Sequence, residues 1–418
     1  PAVRVEALVS LGGEPGQEGV ELSAGGTERV ARMLEDQNIL VRLHALEALG
    51  RSAGGDEIDA LVAQIGAVLE RRETPEVLKA LEVLGQVDSA EAERILLERL
   101  DDDDKRVVTV AVEGLIARRP PALEGWIIES LADGRMPEGF LINALAQVAT
   151  DQSHAAAIAR LDHPDAELRS LCSSIVAQIG DHASLDALAA AARKRIVAMD
   201  ESLASSSGIP DDMAGELLDL LSKISTVGEQ LGVYSFGEDG LVSLLDSAEP
   251  QEQLLALVRL AEEKFFDVPM SGRGAGNAGV VDTLAALANS DSPTMRVFTY
   301  EALKNCWLPE AGEVLVSGIS DLEFGVRFAA LEALVQYVYS TGARSLVQRV
   351  HNMRDEFEPT TYAVDDPNLQ MRQRLEEVAR EFEPSWVSED RAEIDMVSGT
   401  TEATHLLAAA FLAPREKA

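Results

Sequence analysis

Cysteine is nearly missing from this 418-residue chain: Cys172 and Cys306 are its only thiols. That excludes a disulfide framework and cysteine-rich metal sites, and it suits a reducing interior. Aromatic residues are scarce at 4%, and no stretch alternates β-branched or aromatic residues with polar ones, so a sheet protein is excluded. Cations are few as well. Thirty-six Lys and Arg stand against 72 Asp and Glu, a net charge of −36, and only 7 of the 36 are Lys. Such a balance gives no basic footprint to neutralise phosphates, so nucleic acid is not an expected partner. No apolar run approaches the roughly 20 residues that span a bilayer, and the opening residues read as helical pattern, so no leader is expected. The expectation is a cytoplasmic protein with no membrane insertion.

What is present is apolar and small. Hydrophobic residues make up 46%, mostly Ala, Leu and Val, enough for a sizeable core built of closely packed helices. The acid is spread along the whole chain instead of forming a tail. A diffuse acidic surface with few long lysine stems is what a very salty cytoplasm requires for hydration and solubility.

Laying the chain on itself reveals a recurring phrase: an apolar residue, Arg, two spacers, Ala, an apolar residue, a spacer, a small residue and Leu, often followed by Gly. It runs from Val41-Arg42 through Ala45-Leu46-Glu47-Ala48-Leu49-Gly50 and opens the chain at Val3-Arg4. Further copies begin at Leu168-Arg169, Met295-Arg296, Val326-Arg327 and Met371-Arg372, with degenerate ones between. Taking the Ala45 position as a ruler, the anchors are Ala7, Ala45, Ala80, Ala111, Ala144, Cys172, Ala256, Thr299, Ala330 and Leu375. The step from Cys172 to Ala256 is double-length and hides a weak copy near Leu217 to Leu221. Apolar positions at i, i+3, i+4 and i+7 make one helix face, and the Ala admits a close neighbour. Asp36, Asp165, Asp291, Asp321 and Asp366 stand where the turn before each such helix needs an amide cap.

The phrase resembles the HEAT repeat, in the short form known as PBS-lyase-like HEAT repeats; Ala177-Gln178-Ile179-Gly180-Asp181 and the Ala-Leu-Glu-Ala-Leu runs at 45–49 and 330–334 carry the likeness. The resemblance implies an all-α fold, a HEAT-like α-solenoid of about ten antiparallel helix pairs by the ruler above. Residues 1–12 already carry the phrase, so the first unit opens on its second helix. Residues 184–204 read as a longer Ala-rich helix holding Arg193-Lys194-Arg195. The expected organisation is one array over 1–204, a hinge at 205–210, a second array over 211–383, and a tail over 384–418 with a short apolar capping or docking helix near 404–412.

Several groups invite a chemical reading. The recurring arginines, six residues after Asp36, Asp321 and Asp366, read as a ladder in which each Arg reaches an Asp of its own or the preceding turn. Gly274-Ala275-Gly276-Asn277-Ala278-Gly279 has the dinucleotide fingerprint but no preceding strand, so it reads as an inter-helix loop. Relatives of this repeat type include deoxyhypusine hydroxylase, whose irons are held by His-Glu dipeptides. None of His44, His154, His163, His182, His351 or His405 is followed by Glu, so neither metal nor cofactor is expected. Catalytic residues are not expected either. The function expected is a non-enzymatic protein-protein scaffold or adaptor, with Arg273, Trp307, Tyr337 and Tyr339 as candidate protein-binding residues; Tyr337 and Tyr339 are equally readable as core. Acidic proteins of this repeat type in salt-adapted archaea imply, by resemblance, an adaptor whose partners are taxis signalling components. The competing reading, also by resemblance, is a phycobilin-lyase-like protein that handles tetrapyrroles.

Overall fold

A computed structural model of the chain describes residues 1–12, 24–51, 58–71, 74–205, 211–262, 274–306, 308–359 and 366–382. Among these the regular structure is helical, with no strand. The chain divides into two compact units, Pro1–Ile175 and Val176–Ala418.

In the first unit a lone helix, α1 (Ala2–Gly12), is followed by pairs: α2 (Ala24–Arg32) with α3 (Ile39–Arg51), α4 (Ile58–Val68) with α5 (Thr74–Gln86), α6 (Ala90–Glu98) with α7 (Lys105–Ile116), and α8 (Pro121–Asp133) with α9 (Glu138–Val148). Next come α10 (His154–Ile158) and α11 (Ala166–Ile179), within which the unit ends. The phrase falls on the second helix of each pair, and α1, α3, α5, α7 and α9 pack on one another in series. Ala45, Leu46 and Leu49 are buried completely, as are Ala80, Leu81 and Leu84 one pair later. Each such leucine contributes roughly 1.5–3 kcal/mol of burial, so the recurring pattern of the phrase is a packing rule. Its closing glycine has a physical cause as well. A Cβ on Gly85 would lie 2.8 Å from the Gly114 Cα, so α5 and α7 touch backbone to backbone there.

Turn chemistry repeats with the helices. The Asp36 carboxylate accepts from the Asn38 amide at 2.9 Å, Asp102 from Asp104 at 2.9 Å and Asp321 from Glu323 at 3.1 Å. Asp104 and Ser292 then cap α7 and the later helix α17, described below.

The second unit contains α12 (His182–Ala204), α13 (Asp211–Gln230), α14 (Glu238–Leu245), α15 (Pro250–Glu262), α16 (Gly274–Leu287), α17 (Pro293–Leu303), α18 (Pro309–Gly318), α19 (Phe324–Thr341), α20 (Arg344–His351) and α21 (Pro367–Phe382). Helices α13, α15, α17, α19 and α21 form the second-helix series, and α14, α16, α18 and α20 the first-helix series. The weak copy expected near Leu217 is α13, with Leu217 and Leu221 buried. Helix α12 belongs to neither series. It packs on α13, α15, α17 and α19 in turn, and its Asp200 Oδ1 accepts from Ser292 Oγ and the Thr294 amide, both at 2.8 Å.

Three expectations meet the structure here. The unit boundary lies at Ile175/Val176, whereas the hinge was expected at 205–210; residues 206–210 lie outside the described residues, and the flanking α12 and α13 pack together. Residues 274–279 form the opening turns of α16 and not a loop. They contain no proline, and the apolar helix after Val280 extends backward through them. The tail at 384–418 lies outside the described residues.

Candidate functional site

The arginine ladder exists, but it runs the other way from the expectation. Arg42 Nη1 donates to the Asp36 backbone carbonyl at 2.7 Å, Arg296 to that of Ser290 at 2.7 Å, and Arg327 to that of Asp321 at 2.9 Å. The six-residue spacing therefore serves the turn's carbonyl and not its carboxylate. The carboxylate comes from the following pair: Arg4 pairs with Asp36 at 2.7 Å, Arg42 Nε with Glu76 at 2.8 Å, and Arg296 with both oxygens of Asp321 at 2.8 and 2.9 Å. The reason lies in the turn. Oδ1 of Asp36 is committed to its own turn's amide and Oδ2 faces the arginine of the pair before, whereas Oδ1 of Asp321 takes both its turn's amide and Arg296. Burial works against the Asp321 carboxylate, yet the Arg296 guanidinium holds it below the usual range. These arginines are spent on joining pairs and line no free basic face.

A second seam runs between outward positions of the second helices. Two residues after the ruler, Glu332 pairs with Arg374 of the next second helix at 3.0 Å, and Glu47 stands 4.0 Å from Lys79 at the same register. In the first unit this seam borders a groove of about 360 Å³ between α3 and α5. Leu40, Leu43, Pro75 and Leu78 form its apolar lining; His44, Glu47, Lys79 and Glu82 form its rim. Leu40 is 54% exposed and stands beside the half-buried Leu43 and Leu78. The sequence reading missed this groove.

Of the four residues expected to bind protein, Arg273 and Trp307 lie outside the described residues. Tyr337 is buried, and its hydroxyl donates to the Leu308 carbonyl at 3.0 Å. Tyr339 is exposed and its ring lies 4.8 Å from that of Phe382. Of the two described, one therefore sits in the packing and the other on the surface.

Reactive groups are buried within the packing. Burial pushes the thiols of Cys172 and Cys306 up to about 11, which disfavours the nucleophilic thiolate. The buried Glu124 carboxylate accepts from the Thr150 amide at 2.8 Å, from Thr150 Oγ1 at 2.7 Å and from Ser153 Oγ. Burial raises its affinity for a proton, but these donors prevail and hold it below the ordinary range. Among the described residues no group of three His, Cys, Asp or Glu is placed to hold a metal ion. None of the described helices is long and apolar enough to cross a membrane.

By sequence, no family model and no curated protein matches the chain. By structure, it is similar to the karyopherin Kap121p, at 12% identity and a TM-score of 0.51, over 91% of this chain and 46% of that one. Similarity to Kap121p bound to Pho4p covers 86% and 42% with a TM-score of 0.53, again at 12% identity. For Kap121p bound to RanGTP the figures are 91%, 43%, 0.52 and 11%. The fold is a HEAT-type α-solenoid. The chain spans less than half the length of these solved relatives, and at such identity the solenoid is what the two share.

Proposed function

We propose that this solenoid is a non-enzymatic scaffold that binds other proteins through the exposed face of its second helices. The observation that carries the reading is the α3–α5 groove, an open apolar trough with a charged rim on that face. An open trough between stacked helix pairs suits protein recognition more than enclosure of a small molecule. The ladder arginines and the two thiols are engaged in packing, so the chemistry left on this face is apolar contact and carboxylate pairing. Kap121p, in the complexes with Pho4p and RanGTP, is a solenoid bound to proteins, which agrees with this reading.

The particular role is an adaptor in taxis signalling within a salt-rich cytoplasm. Its support is the diffuse charge of −36, together with the resemblance of the repeat to acidic archaeal taxis proteins. Crosslinking in native extract at high salt, followed by mass spectrometry, tests both levels. Crosslinks from second-helix residues to defined proteins support the scaffold, and signalling components among them support the adaptor. A chain that crosslinks to no protein overturns the scaffold. A coloured, tetrapyrrole-loaded preparation replaces it with the lyase-like reading.

A further inference from the structure

The second unit contains an example of what a second-helix face receives. Helix α12 packs across α13, α15, α17 and α19. Its buried side chains are small or aliphatic, among them Leu188, Ala192, Ile196 and Met199. Its arginines reach carboxylates beside the series it crosses: Arg195 Nε is 2.7 Å from Glu216 of α13, and Arg193 is 3.0 Å from Glu249, just before α15. The two positions before the ruler show the consequence. On α15 they are Leu254 and Leu255, on α17 Val297 and Phe298, and all four are buried.

At the same register in the first unit stand Leu43 and His44 of α3, and Leu78 and Lys79 of α5. These are only half-buried, and they line the open groove. The rim there carries Glu47 and Glu82 against one lysine, and Glu113 of α7 continues the same register as an exposed carboxylate. The covered face and the uncovered one thus share position and an aliphatic residue at the first of the two places; the second is apolar where α12 lies and holds His44 or Lys79 on the open groove, and carboxylates stand near both.

Resting on the scaffold reading, we infer that the α3–α5 groove receives an amphipathic helix of a partner protein, with a small-aliphatic face and an arginine- or lysine-bearing flank. The aliphatic face would lie on Leu43 and Leu78, and the cationic flank would pair with Glu47 and Glu82. Recognition of this kind places side chains at i, i+3, i+4 and i+7 into the trough, and the rim charges set orientation.

The test uses the full-length chain and, as probe, a fluorescently labelled synthetic peptide with the sequence of residues 182–204. The tethered α12 outcompetes the free peptide for its own place, because its effective concentration is far higher, so the peptide reports the open groove. Saturable binding is expected. It should weaken about tenfold with Leu78→Glu, the loss typical of a central contact in such a site, and by about threefold with the charge reversal Glu82→Lys at the rim. Glu82 is exposed, so its variant keeps the fold should Leu78→Glu unfold. A peptide with Arg193→Glu, Lys194→Glu and Arg195→Glu should bind more weakly than the parent.

Absence of saturable binding, binding unmoved by Glu82→Lys, or preference for the acidic peptide overturns the inference. Self-association of the chain abolished by Glu82→Lys overturns it too, by making the occupant a second copy. Partner proteins crosslinked only outside residues 39–82 sink the groove while leaving the scaffold standing; a chain that crosslinks to none sinks the scaffold itself.

Discussion

Arg42 and Glu76 meet across the boundary between consecutive helix pairs, the guanidinium Nε donating to Oε1 at 2.8 Å with the Glu76 side chain almost wholly buried. Removing one partner of a buried, hydrogen-bonded pair leaves an uncompensated charge inside the protein. Glu76→Ala should therefore cost about 3 kcal/mol. The equivalent Arg4–Asp36 contact is different: Arg4 is 49% exposed at its side chain, and the Asp36 carboxylate left without it, although only 8% exposed, keeps the Asn38 amide as a donor. Arg4→Ala should cost no more than about 1 kcal/mol. Urea unfolding of both variants at a fixed high salt concentration reads the contrast. Equal losses would show that burial does not set the strength of the ladder.

The close approach of α5 and α7 makes a second prediction. Gly85→Ala places a methyl 2.8 Å from the Gly114 Cα, against backbone that cannot turn aside as a side chain would. The substitution should destabilise by about 1–3 kcal/mol although Ala is the better helix former. Gly125→Ala, in α8 with open space around the added methyl, should be neutral or stabilising by up to about 1 kcal/mol. Thermal unfolding of the pair separates the packing effect from helix propensity.

The register of the second helices was readable from letters because a buried stripe imposes a 3.6-residue period that Ala45, Leu46 and Leu49 obey. The partner of each arginine was not. The six-residue spacing is real, but it reports a carbonyl of the same turn, while the carboxylate for Arg42 lies 34 residues ahead. Nor was the groove legible: Leu43 and Leu46 are the same letter on the same helix, and only the neighbours show that one is half-covered and the other enclosed. Helix α12 was readable as a long alanine-rich helix. Its place across four others was not, since alanines mark several faces as apolar at once and so point to no single neighbour.

Acid should weaken the first unit through Glu124. Its donors hold the folded-state affinity for a proton below the ordinary glutamate value of 4.5. A depressed carboxylate contributes stability that is present above the unfolded value and is lost as pH falls through the folded one. Stability should thus decline below pH 4.5, and Glu124→Gln should flatten that part of the profile while lowering stability at neutral pH. Urea midpoints measured between neutrality and the acid limb check the sign. A steeper acid decline in Glu124→Gln would show that the donors do not favour the charged form.

Asp200 ties α12 to the start of α17, where its Oδ1 takes both the Ser292 hydroxyl and the Thr294 amide. Residues 292 and 294 are more than 90 positions away in sequence, so this one carboxylate closes a long loop while capping a helix end. Asp200→Ala should cost about 1–2 kcal/mol, the worth of a strong cap with a second donor left unmet. Asp200→Asn keeps an acceptor oxygen of the same reach and should recover much of that loss. The distinguishing readout is amide hydrogen exchange, because local opening reports which element is released. Loss of the tether should speed exchange in α12 and in the first turn of α17, while α5 and α7 of the first unit stay protected. If exchange rises in every helix alike, Asp200 supports the chain as a whole and α12 is not a separately held helix.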